Sequence, residues 1–222
     1  MPSKTSVLTV ILIILGLLSA VLVNVVTNPD VTVPGLSIGY DLAIHDEFAY
    51  VSNNDGVVVI DIHNHNDPIR VTQIQFDDGV FGLDIINDTL YVGALSEGLA
   101  IVDISTPLNP EILEVHSSVD GIQNLFVTGN HVYVVKLSGI LQIIDISNSS
   151  DISILSSLDV GSYCLDVFVI GDVAYVADSD GLVVVDVSDP TSPDAIRTVP
   201  YTNGAFDISV YEETLYLGCH YM

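Results

Sequence analysis

The chain has 222 residues and carries 29 acids against four bases, Lys4, Arg70, Lys136 and Arg197, for a formal net charge of −25. That balance excludes binding to a phosphate backbone, which needs clustered Lys and Arg to release counterions, and it disfavours anionic lipid surfaces. Hydrophobic residues make up 49%, enough for a packed core, and the 23 Asp against six Glu point to turns and caps rather than helices.

Residues 7–26 are uncharged, with only Thr9, Ser19 and Asn24 as polar interruptions. About 20 apolar residues cross a bilayer as a helix, so this segment predicts one N-terminal transmembrane helix. Lys4 precedes it and no base follows until Arg70. The positive-inside bias then leaves everything beyond residue 26 outside the cytoplasm. A cleaved signal segment is the competing reading, with small residues at Ser19-Ala20 but Leu17 and Leu18 where cleavage wants small side chains. Either way the domain is membrane-anchored or secreted. Residues 27–37 read as a linker and possible closing strand, because Val31-Thr32-Val33 matches the end of a fourth strand that has no blade before it.

The rest of the chain is periodic. Tyr50, Tyr91, Tyr133, Tyr175 and Tyr216 recur at 41 or 42 residues, as do Asp61, Asp103, Asp145 and Asp186. Between them lie VVVID (57–61), LAIVD (99–103), LQIID (141–145) and LVVVD (182–186). Each unit predicts four short strands: an apolar first strand, the Tyr strand, a third strand ending at the Asp, and a fourth. The expected Tyr strands cover 48–52, 89–94, 131–135, 173–177 and 214–218, and the expected fourth strands 69–76, 112–117, 152–158 and 195–199. β-branched and aromatic residues fill these runs, while Gly, Asn, Asp and Pro separate them. A Gly stands before every third strand, at 56, 98, 139 and 181, where a tight hairpin needs positive φ. Four antiparallel strands in each unit of about 42 residues, repeated in series, predict an all-β fold, a β-propeller of four full blades plus a partial fifth. The blades are 38–79, 80–121, 122–162, 163–204 and 205–222. Strands covered by a blade on each side are apolar on both faces, which fits the second and third strands.

Tyr, Gly, the apolar run ending in Asp, and the Ser-x-Pro turns at 105–107 and 188–190 occur together. In this combination the units resemble the LVIVD repeat family, and the resemblance covers about residues 38–219. It implies an extracytoplasmic β-propeller and says little about function. In the third repeat Asn148-Ser149-Ser150 replaces the Pro turn, which predicts a looser loop there. Strand three of the last unit is missing. Two readings follow: an N-terminal strand joins the last unit to close a five-bladed ring, or the chain is a piece of a longer propeller. An incomplete blade leaves open strand edges.

Asp61, Asp103, Asp145 and Asp186 recur in every full blade, as structural turn residues would, with each carboxylate accepting N–H groups of the turn that follows. The start of the first strand carries Asp41, Gly82, Asn124, Asp166 and Asp207. Asp41, Asn124, Asp166 and Asp207 are candidates for a polar ring in the central channel, where a cation such as Ca²⁺ would find oxygen ligands; the alternative is a set of turn residues bonded to backbone. Asp178-Ser179-Asp180-Gly181 resembles the opening of a Ca²⁺ loop but lacks the later Glu, so a hairpin turn is the better reading. His63 and His65 sit two apart in one loop and are candidates for a metal. Cys164 and Cys219 offer one disulfide if geometry permits. Asn87-Asp88-Thr89 and Asn148-Ser149-Ser150 are glycosylation sequons. No catalytic residue can be singled out and no resident cofactor is implied beyond Ca²⁺. These features predict a non-catalytic binding or scaffolding module whose partner is an extracellular protein or glycan. The alternatives are a propeller-type hydrolase or lyase with a channel-bound cation and a structural cell-surface component.

Overall fold

The computed structural model describes residues 10–15, 20–25, 39–201, 204–212 and 214–219, with side chains from residue 39 onward. Strands β1 (Val10–Leu15) and β2 (Ala20–Val25) pair antiparallel, with Val10 opposite Val25 and Leu15 opposite Ala20. The expected helix is therefore not seen on these residues, and the rest of 7–26 lies outside the described residues. Among the described residues no helix is long and apolar enough to cross a membrane. The physical reason is that a continuous apolar run carries no periodicity to separate helix from strand, and Val and Ile lean toward strands. The expected strand at Val31-Thr32-Val33 also lies outside the described residues.

Four sheets follow, each built from four consecutive strands. The first holds β3 (Leu42–His45), β4 (Phe48–Asn53), β5 (Gly56–Asp61) and β6 (Ile69–Gln75). The second holds β7 (Val80–Ile86), β8 (Thr89–Ala94), β9 (Gly98–Asp103) and β10 (Glu111–His116). The third holds β11 (Ile122–Thr128), β12 (His131–Lys136), β13 (Ile140–Asp145) and β14 (Ser153–Asp159). The fourth holds β15 (Cys164–Ile170), β16 (Val173–Asp178), β17 (Gly181–Asp186) and β18 (Asp194–Pro200). A pair, β19 (Asp207–Tyr211) and β20 (Thr214–Gly218), ends the series. All pairings are antiparallel, and no described strand joins β20 on its outer edge.

The register repeats with the sequence. Tyr50 faces Val59, Tyr91 faces Ile101, Tyr133 faces Ile143 and Tyr175 faces Val184. Tight hairpins set that register. At Gly98, φ is +102°, and a Cβ would stand 2.3 Å from the His116 carbonyl oxygen, so only glycine fits.

Among the described residues one core, Ala49, Val51, Val58, Ile60 and Ile62, is built from the first sheet alone, and the others lie between sheets. Tyr50, Val57 and Val59 of the first sheet pack on Leu83, Leu90 and Val92 of the second. Tyr91, Leu99 and Ile101 pack on Leu125, Val132 and Val134. Tyr133, Leu141 and Ile143 pack on Val167, Ala174 and Val176. The last interface is smaller: Ala177 and Leu182 meet Ala205 and Ile208, with Leu215 and Leu217 against them. Tyr216 is 52% exposed, where Tyr50 is 0%: among the described residues no further sheet covers its face. The third loop keeps its turn without Pro: Asp151 N–H donates to the Asn148 carbonyl at 3.0 Å, as Asn109 does to Thr106 at 2.8 Å. Asn148 Oδ1 also accepts the Ser150 N–H, so the turn is bonded from a side chain as well.

Candidate functional site

The first strands β3, β7, β11, β15 and β19 are neighbours in series. A β-bulge lies at Phe81, Gln123 and Leu165, just ahead of Gly82, Asn124 and Asp166. Bulges re-aim the side chain that follows, and here the Asn124 and Asp166 side chains turn toward the next blade.

Asp41 Oδ1 accepts the Leu42 N–H and Oδ2 the Leu83 N–H of the second blade, both at 2.7 Å. At the next repeat the equivalent position is Gly82, where a Cβ would stand 2.7 Å from Asn124 Cα. Asp84, two residues on and so on the same strand face, takes over: its Oδ1 accepts the Ile85 N–H at 2.7 Å and its Oδ2 the Val127 N–H of the third blade at 2.6 Å. Asn124 Nδ2 donates to Asp166 Oδ1 at 2.7 Å, while its Oδ1 accepts the Leu125 N–H. Asp166 Oδ2 then accepts the Ile208 N–H at 2.6 Å, next to Asp207 in the chain.

These carboxyls are short of water. Burial pushes the Asp41 carboxyl up to about 6 against the pull of the Leu83 and Leu42 N–H groups, with the Asp207 and Asp84 charges adding to the rise. Burial raises Asp84 as well. Burial, then the Asp207 and Asp41 charges, drive Asp166 well above the ordinary carboxylate range, and burial raises Asp207. Of the four predicted ring residues, Asn124 and Asp166 are bonded to each other, Asp41 is bonded to backbone of its own and the next blade, and the Asp41 and Asp207 charges act on Asp166. Among the described residues no group of three or more His, Cys, Asp or Glu side chains is arranged to hold a metal ion.

Asp61, Asp103, Asp145 and Asp186 each accept the N–H two residues on, from His63, Ser105, Ser147 and Ser188, at 2.8–2.9 Å. His63 and His65 are both exposed, and His63 Nδ1 bonds Glu47 Oε2 at 2.5 Å, which raises its pKa. Cys164 and Cys219 are both free thiols.

Two residues escaped the sequence reading. Asp84 sits off the repeat position, and its signal was a carboxylate two residues past a Gly at a ring position. Asp178 reads as a hairpin residue, yet it is 1% exposed. Its Oδ2 accepts the Ser162 and Tyr163 N–H groups and its Oδ1 the Asp180 N–H, at 2.9–3.0 Å.

The repeat also matches a known family across residues 39–74, 83–115, 122–160 and 161–199, described as the LVIVD repeat. The chain belongs to the LVIVD repeat family. No curated protein matches it. Among solved structures, the LVIVD chain is similar to the computationally designed Ika8 protein (TM-score 0.64, 16% identity, 85% of this chain and 58% of that one). It is similar to the computationally designed Ika4 protein (TM-score 0.55, 18% identity, 71% of this chain and 96% of that one). It is also similar to the WD40 β-propeller domain of Doa1 (TM-score 0.65, 11% identity, 82% of this chain) and spans 61% of that domain's length. These likenesses establish the β-propeller fold and nothing finer.

Proposed function

We propose that this LVIVD-repeat chain is a non-catalytic binding or scaffolding propeller displayed outside the cytoplasm, with an extracellular protein or glycan as its partner. The observation that carries this reading is the end of the sheets where the hairpins between second and third strands meet the loops between blades. Leu95, Leu137, Tyr163 and Tyr201 are all exposed there, 37–59% of each. The loops that bear them are tied together: Gly121 N–H donates to the Leu95 carbonyl and Ser179 N–H to the Tyr163 carbonyl. Rigid aromatic and aliphatic side chains on fixed loops make contact area at low entropic cost, and the acids between them favour a basic or neutral partner.

Residues 7–26 serve in this reading as the membrane anchor. An isolated hairpin leaves two strand edges without backbone partners, which a bilayer core does not accommodate. In a membrane the same residues satisfy their N–H and C=O groups as a helix.

The experiment is a comparison of two variants against surface-protein extracts and a glycan array. Leu137→Asp with Tyr163→Ala alters the proposed face, and Leu108→Asp alters an exposed residue of the opposite loops. Loss of binding in the first and retention in the second supports the reading; equal binding by both overturns it. For the enzymatic alternative, a Ca²⁺ ion at Asp41, Asn124, Asp166 and Asp207 must displace N–H donors already bonded there, and a Ca²⁺-dependent rise in melting temperature is its test.

A further inference from the structure

We propose that the hairpin β1–β2 docks on the leading face of the first sheet, the face turned away from the second, and caps the row of blades there when the chain is in water. That face is Ala49 and Val51 of β4, Val58 and Ile60 of β5, and Ile62 just beyond, with Leu42 alongside. All five are 0–3% exposed. At the same repeat positions the second sheet has Leu90, Val92, Ala100, Val102 and Ile104, and Tyr50, Val57 and Val59 of the preceding sheet cover them. The first sheet's face is buried as fully, so it too has a cover.

Among the described residues no other blade supplies that cover, since the buried and partly buried apolar side chains of this core all belong to the first sheet or adjoin it. The half-blade is not the cover either. Ser209 pairs with Tyr216 and Tyr211 with Thr214, which puts the four on one face. All four are exposed. Each bears a hydroxyl, so that face stands in water as the outer face of a capping repeat does.

The hairpin fits the vacancy from its own side. Asn24 is the one polar residue in β1 and β2. A two-stranded hairpin has marginal stability alone, and one this apolar has no polar face to turn to water. Residues 26–38 join it to the first sheet, and about four extended residues already span the ~10 Å between packed sheets. A bilayer is the other place where these residues escape water. They cannot occupy both, so insertion of 7–26 uncovers the face.

The test is thiol labelling of the full chain in detergent-free buffer. Val58→Cys is made together with Cys219→Ser, which removes the exposed thiol and leaves buried Cys164 as an internal reference. The introduced thiol is expected to label as slowly as Cys164. Adding Leu12→Asp and Val23→Asp, which face each other in the hairpin, is expected to speed its labelling by about tenfold or more. Fast labelling without the Asp pair, or equally slow labelling with it, overturns the docking. If Val58→Cys does not fold, photo-leucine incorporated into the otherwise unaltered chain decides. Crosslinks from Leu12, Leu15 or Leu22 to residues 48–62 support the docking, and their absence while neighbouring blades crosslink to each other removes it. Flotation with phosphatidylcholine vesicles reads membrane anchoring separately, so docking and anchoring can fail independently.

Discussion

Asp41 and Leu83 stand 42 residues apart, yet Asp41 Oδ2 accepts the Leu83 N–H at 2.7 Å. The same stitch joins Asp84 to Val127 and Asp166 to Ile208. A carboxylate of one blade thus takes a first-strand amide of the next. Apolar packing sets how tightly blades press together, and these stitches set where the first strands sit relative to one another.

Asp41→Ala leaves the Leu83 N–H without its acceptor, in a residue only 5% exposed. An orphaned buried donor costs about 1–3 kcal/mol. At this chain length each kcal/mol lowers the melting temperature by roughly 2–4 °C. Denaturant unfolding of the variant checks the figure; an unchanged midpoint means the stitch contributes nothing.

Stability should peak on the acid side of neutrality. The Asp41 carboxyl is raised to about 6 in the folded chain, so its contribution is complete below its ordinary value and is lost as pH rises through about 6. Asp84, Asp166 and Asp207 are raised and act in the same direction. The exposed turn carboxylates act oppositely. Hydroxyl and N–H bonds from Ser105, Ser147, Ser188 and Thr191 hold Asp103, Asp145, Asp186 and Asp189 low. Their contribution is present above the ordinary value and is lost as pH falls. Melting temperatures across the acid and neutral range test this, and a steady rise from about pH 4 to about pH 8 contradicts it. Asp41→Asn should flatten the alkaline limb.

Gly82 invites a consensus substitution, since its counterparts are Asp or Asn. Gly82→Asp is nevertheless expected to destabilise by about 1–3 kcal/mol, the range for overpacking, because its Cβ meets the Asn124 backbone at 2.7 Å. A thermal shift upward would show that the third blade can move away.

The two thiols should separate cleanly in a labelling experiment. Cys219 is exposed and Cys164 is buried. Burial first, then the nearby Asp178 charge, pushes the Cys164 thiol up to about 12. The native chain should take up one equivalent of Ellman's reagent quickly and the second only on unfolding. Rapid uptake of two equivalents places Cys164 in solvent.

Tyr50 is fully buried, and its hydroxyl has no hydrogen-bond partner. Tyr50→Phe should therefore match or exceed wild-type stability, while Tyr50→Ala should lose about 3–5 kcal/mol. A loss above about 1 kcal/mol in the Phe variant would reveal a bond that the hydroxyl makes.

The strands and hairpins were legible in the sequence because the repeat states the same pattern four times over, and a Gly at 56, 98, 139 and 181 fixes each register. The ring residues were legible by position. Their bonding was not, because the partner of Asp41 lies one full repeat away and is a backbone group with no side-chain signature. Asp84 was hidden by the same periodicity that exposed its neighbours: it stands two residues past the repeat position, which is a glycine in that blade. Residues 10–15 and 20–25 are not decided by pattern alone, since an unbroken apolar run fits a helix in lipid and a strand pair in water equally well.

Each four-stranded sheet is completed by residues contiguous in the chain, and each core between two sheets needs only the sheet just before it. A ribosome emitting this protein from its N-terminus therefore releases a finished interface about every 42 residues, and every new blade finds its docking surface already formed. Assembly keeps pace with translation.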